Sequence, residues 1–140
     1  MTDMIKIDND LMDCLLAQAA DNPRKRINYD LRTSSADTSQ RMLNALLPGT
    51  EVPIHRHEDT SETVVCLRGR LVEIMYEEVI DYVEDGADMM RHRYFKETER
   101  HILCPTEGCH GIQIPAGVWH TVEVLEPSVI FEAKDGAYKG

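Results

Sequence analysis

At 140 residues the chain is long enough for one domain with a real core and too short for two ordinary ones. Hydrophobic residues at 42% and charged residues at 29% exclude a disordered composition. A formal charge of -10 argues against a generic electrostatic grip on nucleic acid or an anionic membrane, while leaving room for a small basic pocket that holds an anionic ligand.

Asp3, Lys6, Asp8 and Asp10 open the sequence, which is not the basic-then-apolar layout of a secretory signal. No apolar run approaches the length of a membrane span, and the expected location is cytoplasmic. A helix is predicted over 8–22: Asp8 or Asn9 caps it, Leu11, Cys14, Leu15 and Ala19 share a face, and Asn22-Pro23 ends it. Ile27, Tyr29 and Leu31 then alternate with polar neighbours as a half-buried strand does, and 33–39 is a polar loop. The apolar residues of 40–47 fit either period, but Pro48-Gly49 and the extended stretch after it favour a strand. Further strands are predicted at 51–55, 62–67, 71–76, 79–83, 89–95, 112–115, 121–125 and 129–133.

Arg68-Gly69-Arg70, Asp85-Gly86, Glu107-Gly108 and Ala116-Gly117 are turn signals placed where hairpins would reverse the chain. Many short strands with frequent turns predict an all-β sandwich, jelly roll or barrel. The expected organisation is an N-terminal helical segment over 1–23 followed by a barrel over 24–140, a single domain in all. Cys14, Cys66, Cys104 and Cys109 do not make a cysteine-dense scaffold and are expected to be reduced. The spacing of Cys104, Cys109 and His110 matches no well-defined zinc pattern, so thiols packed near a hairpin are expected there.

The chemistry concentrates between Gly49 and Gly69. Residues two apart in a strand point to the same face, so His55 and His57 present two imidazoles to one point. The polar stretch 58–61 can turn the chain so that the next strand delivers the Glu62 carboxylate there. After the tight turn of Pro115 and Gly117, His120 opens a strand and supplies a fourth ligand. Imidazole and carboxylate together suit one divalent transition metal ion: Fe, Mn, Ni, Cu or Zn. Four protein ligands leave coordination positions for water or substrate, the layout of a catalytic metal.

These residues resemble the cupin superfamily. Its first motif, G-x5-H-x-H-x3 to 4-E-x6-G, is matched by Gly49, His55, His57, Glu62 and Gly69, and its second by Pro115, Gly117 and His120. Cys109 stands where the second motif has its leading Gly, and Val124 replaces the closing Asn; neither departure touches a ligand. The resemblance implies a cupin double-stranded β-helix, a jelly-roll barrel with a short N-terminal helix. More narrowly, 40–46 and 131–138 resemble the WbuC-type cupin metalloproteins, a likeness that spans most of 24–138. That implies an association with surface-polysaccharide biosynthesis and marks Arg41, Asn44, Lys134 and Tyr138 as candidate substrate groups, with Glu62 and Tyr138 as candidate proton-transfer groups.

Among the neighbours, Arg56 should point away from the metal, and His92, His101 and His110 lack the ligand spacing. Met42 and Leu46 are expected to pack, and Trp119 belongs to the core or forms a platform for a sugar. The leading expectation is a metal-dependent enzyme acting on a small polar substrate such as a sugar or sugar nucleotide. An Fe(II)- and O2-dependent dioxygenase and a non-enzymatic sensor or sugar-binding module compete with it. No nucleic-acid or membrane partner is expected, and an exposed sheet edge makes a homodimer the default.

Overall fold

A computed structural model of the chain describes residues 3–136. Helix α1 spans Asn9–Asp21, with the Asp8 carboxylate accepting from the Leu11 backbone N–H at 3.0 Å and Asn22 leaving the helix in extended conformation before Pro23. Its buried residues are Met12, Leu15 and Ala19. Leu11 lies at the margin of that stripe, but Cys14 is exposed: at 100° per residue it falls on the far side from Ala19.

Strands β1 (Arg26–Asp30) and β2 (Ser39–Leu46) pair antiparallel, which settles the ambiguous 40–47 segment as a strand. Its period is hard to read because both faces are covered. Leu43 and Ala45 pack under α1 with Val129, while Met42, Asn44 and Leu46 are buried on the other face. Strands β3 (Glu62–Asp85) and β4 (Asp88–Leu103) form a long hairpin closed at Gly86 and Ala87, in agreement with the Asp85-Gly86 signal. A 3-10 turn (Pro105–Glu107) leads to β5 (Gly111–Ile114), and β6 (Trp119–Asp135) is the last described strand.

The strand path is β1-β2-β6-β3-β4, with β5 on β3. Residues 62–65 pair with β5 on one side and with the end of β6 on the other, whereas 71–76 pair with β4 and with the start of β6. Both long strands therefore bend from one face of the barrel into the other, and several predicted strands merge. The predictions at 62–67, 71–76 and 79–83 fall within β3, and those at 121–125 and 129–133 within β6.

Gly69 is accordingly no hairpin. It is the bend of β3, at φ +99°, flanked by shifts of register against β6. A Cβ at this position would collide with Ser128 Oγ and the Pro127 carbonyl, so only glycine fits. Ser128 Oγ fastens the two bends together, accepting from the Arg70 N–H at 3.1 Å and donating to the Glu126 carbonyl at 2.7 Å. The predicted strand at 51–55 reduces to a single bridge between His55 and His120, since Pro53 has no N–H to give a ladder.

Two apolar clusters hold the fold. Leu46, Val64, Cys66, Leu71, Met75, Leu103, Ile114, Val124 and Ile130 fill the barrel, and the α1 residues pack with Leu43, Ala45 and Val129 on its outside. Cys66 is buried in the first cluster, its thiol pushed up to about 11 by desolvation, and all four cysteines are free thiols.

Candidate metal centre

His55 and His120 bridge two separate segments. The His55 N–H donates to the His120 carbonyl at 3.0 Å and the His120 N–H to the His55 carbonyl at 2.8 Å. The Gly117 N–H donates to the His57 carbonyl at 2.8 Å, which ties the turn before β6 to the loop that carries the two paired histidines. Ring centroids of His55 and His120 are 4.3 Å apart, of His55 and His57 5.5 Å, and of His57 and His120 6.0 Å. One potential ligand atom from each of the three lies within 4.8 Å of the others.

The tautomers follow from the backbone. Nδ1 of His55 lies 2.9 Å from the Pro53 carbonyl and Nδ1 of His120 2.9 Å from the Val118 carbonyl. A carbonyl only accepts, so each Nδ1 carries the proton and each Nε2 keeps a free lone pair. Partners of this kind orient metal-ligating histidines. Nε2 of His120 is buried and has no hydrogen-bond partner among the described residues, an arrangement that costs about 1–3 kcal/mol unless something satisfies the lone pair. A divalent cation satisfies it, and burial favours the neutral, ligating form by pushing the His120 imidazole below its ordinary value.

Glu62, 5% exposed, adjoins this cluster. Its Oε2 is 2.7 Å from His57 Nε2 and its Oε1 3.9 Å from His120 Nε2. Burial works to raise its pKa, but the hydrogen bond from His57 and the nearby imidazoles together outweigh it and hold the carboxyl below its ordinary value. Residues that sequence spacing alone associates are thus adjacent in space, three imidazoles in one cluster and one ionised carboxylate at its side.

Strand register shows what surrounds them. Directly opposed residues share a face, which sets Gln40, Lys134, Glu62 and Ile114 in one row across four strands, and Met42, Glu132, Val64 and Ile112 in the next. Asn44, Ile130 and Cys66 form a third. From the opposite wall Glu73, 3% exposed, alternates inward with Leu71 and Met75. Burial and the charge of Glu62 push the Glu73 carboxyl up to about 8. Burial, together with Glu62 and Glu73, also drives Glu132 well above its usual range, against a hydrogen bond from Asn44 and the charge of Lys134. The lumen is therefore polar near the histidines and apolar toward Leu46, Leu71 and Leu103.

Of the candidate substrate groups, Asn44 and Lys134 share this lumen. Arg41 does not: it lies on the opposite face of β2, where Nη2 donates to Asp37 Oδ2 at 2.9 Å, because strand alternation turns it away from Gln40 and Met42. Tyr138 lies outside the described residues. Arg56 points outward as expected, its guanidinium 4.5 Å from the Trp119 ring, and Trp119 in turn packs on Phe95 at 4.9 Å. His92 stacks near Tyr94 on the β3–β4 hairpin, and His101 pairs with Glu99 at 2.9 Å. Sequence reading missed Gln40, Glu73 and Glu132; the signal for Glu73 was a polar residue at an inward position between Leu71 and Met75.

Three solved structures similar to this one are TT1209 from Thermus thermophilus, KdgF from a Halomonas species, and oxalate oxidase in complex with the substrate analogue glycolate. TT1209 is 22% identical, over 82% of this chain and 87% of that one, with a TM-score of 0.57. KdgF is 14% identical over 84% of each chain, with a TM-score of 0.51. Oxalate oxidase is 13% identical over 85% of this chain and 55% of that one, with a TM-score of 0.53. At such identities the likeness is one of fold, and with the bent, paired β3 and β6 it defines a cupin barrel carrying a three-histidine cluster. A search of curated proteins finds no match. The family described as domain of unknown function (DUF6016) matches residues 7–85, more than half of the chain, and the chain belongs to that family. The matched region takes in α1, His55, His57, Glu62 and the whole of β3; His120 follows it on β6.

Proposed function

We propose that this chain is a metal-dependent enzyme acting on a small polar substrate such as a sugar or sugar nucleotide, with His55, His57 and His120 holding one divalent transition metal ion and Glu62 beside it. The observation that carries this reading is the pair of backbone-fixed tautomers, which leave Nε2 of His55 and His120 unprotonated, with His120 Nε2 buried and without a hydrogen-bond partner among the described residues. A set of three imidazoles and one carboxylate suits Fe, Mn, Ni, Cu or Zn. A bound ion of this kind supplies Lewis acidity toward a substrate oxygen.

The chain's own residues supply the rest. Glu62, held ionised beside the three imidazoles, accepts a proton from the substrate and returns it. Lys134, in the same cross-strand row as Glu62, attracts an anionic part of the ligand such as a phosphate. The apolar end of the barrel excludes water behind the site. Support for the sugar class comes from the resemblance of 40–46 and 131–138 to WbuC-type cupins. Incubation of the metal-loaded protein with a panel of sugars and sugar nucleotides, read by NMR, tests the reading: conversion of at least one is expected, and neither binding nor turnover of any would contradict it.

A further inference from the structure

The barrel lumen contains polar atoms that neither the histidine cluster nor the sheet uses. Gln40 Oε1, Asn44 Oδ1 and Glu73 Oε2 are buried and have no hydrogen-bond partner among the described residues, on side chains only 2%, 7% and 3% exposed. Gln40 and Asn44 come from β2 and Glu73 from the far part of β3, so the oxygens are contributed by walls that face each other across the barrel. Burying an acceptor without a donor is unfavourable, and such groups are rare in folded proteins. The adjoining end of the same lumen, filled by Leu46, Leu71, Leu103 and Val124, shows what this barrel contains where only packing matters.

We propose that the polar half of the lumen binds a neutral polyhydroxyl group, whose hydroxyls donate to Gln40, Asn44 and Glu73 while another part of the same molecule faces the histidines. This rests on the metal-site reading above and adds to it the substrate chemistry and the residues that select it. An ammonium group fits less well. Burial drives Glu73 toward the protonated acid, so this carboxyl offers a proton that needs an acceptor as well as an oxygen that needs a donor. A hydroxyl does both, whereas an ammonium only donates. A carboxylate ligand fits less well, because Gln40 Oε1 and Asn44 Oδ1 are themselves acceptors and a carboxylate has no proton to give them. Sites built to hydrogen-bond a hydroxyl reject analogues that lack it, so these three side chains would set specificity as well as affinity.

The test uses the full chain, with metal content measured on every sample. Sorbitol, D-glucose and myo-inositol are titrated by saturation-transfer NMR and calorimetry, with ethanolamine and acetate as amine and carboxylate controls. At least one polyol should bind saturably and more tightly than either control. Glu73→Met and Gln40→Met keep most of the volume and delete an acceptor; each should weaken polyol binding by about tenfold or more while leaving metal content unchanged. Each should also raise the melting temperature, because an unpaired buried oxygen has gone. Glu73→Gln, which keeps an acceptor, should stay within roughly threefold of wild type. If Glu73→Met does not fold, Gln40→Met carries the same comparison. The proposal is overturned if no polyol binds the metal-loaded protein, if ethanolamine binds in preference, or if the Met variants bind polyols as wild type does, in which case ordered water alone serves these oxygens. Polyol binding by a protein that takes up no metal would overturn the metal reading and leave this inference standing.

Discussion

Strands β3 and β4 are joined by one antiparallel ladder from Leu71 and Leu103 to Asp85 and Asp88, yet the two ends of that ladder lie in opposite environments. Residues 71–75 of β3 are all buried, and most of 77–85 are exposed. The difference is not one of composition, since Ile80, Tyr82, Val83, Met89 and Met90 sit in the exposed part, between 40% and 66% accessible. It is one of partners: 71–76 also pair with β6 and face the opposing barrel wall, whereas beyond Tyr76 the only strand paired with β3 among the described residues is β4. Hydrogen-bonded pairing alone buries nothing, and a two-stranded ribbon has no core of its own. The same contrast separates the histidines. His120, 3% exposed and opposite Met75, is built into the closed part; His92, opposite Asp81, belongs to the open ribbon.

Paired truncations break or sharpen this contrast. Leu71→Ala, at a fully buried barrel position, should cost about 2–5 kcal/mol in urea unfolding, whereas Met89→Ala on the ribbon should stay within about 0.5 kcal/mol. Comparable losses at the two positions would mean that the ribbon is covered in solution.

A smaller effect concerns pH. The Glu73 carboxyl, pushed by burial and by Glu62 from its ordinary 4.5 up to about 8, binds in the folded state a proton that the unfolded chain releases. Its stabilising contribution is therefore complete below about pH 4.5 and is lost as pH rises through about 8. Glu73→Gln removes that dependence, so the melting temperature of the variant should fall less than that of wild type between about pH 5 and pH 8. Equal slopes for the two proteins would contradict the burial of an ionisable acid at this position.

How much of this is legible in the sequence depends on whether a local rule or a tertiary one decides each residue. The helix, its Asp8 cap and the Asp85-Gly86 turn follow from local chemistry and are readable. So are His55 and His57, where alternation alone brings two imidazoles together, and Glu62 and His120, whose spacing carries the cupin pattern. Gly69 misleads because a glycine with positive φ serves a hairpin and a bend equally well, and only the approach of Ser128 distinguishes them. The strand β4 extends to Leu103 through Lys96, Glu97, Thr98, Glu99 and Arg100, a charged run that gives no alternation because most of it faces water at a sheet edge. Arg41 shows the opposite error: family likeness nominates it, while its strand parity assigns it to the face away from Asn44. Glu73 and Glu132 escape notice because a lone Glu in an apolar strand gains meaning only when the opposite wall of the barrel is known.

In the proposed function one closed set of histidines, and not the histidines of the ribbon, holds a metal ion. Elemental analysis of the purified full chain alongside His120→Ala and His92→Ala tests it most directly. About one divalent transition metal ion per chain is expected in wild type and in His92→Ala, and almost none in His120→Ala, where the buried Nε2 is gone. Equal metal content in all three proteins would contradict it.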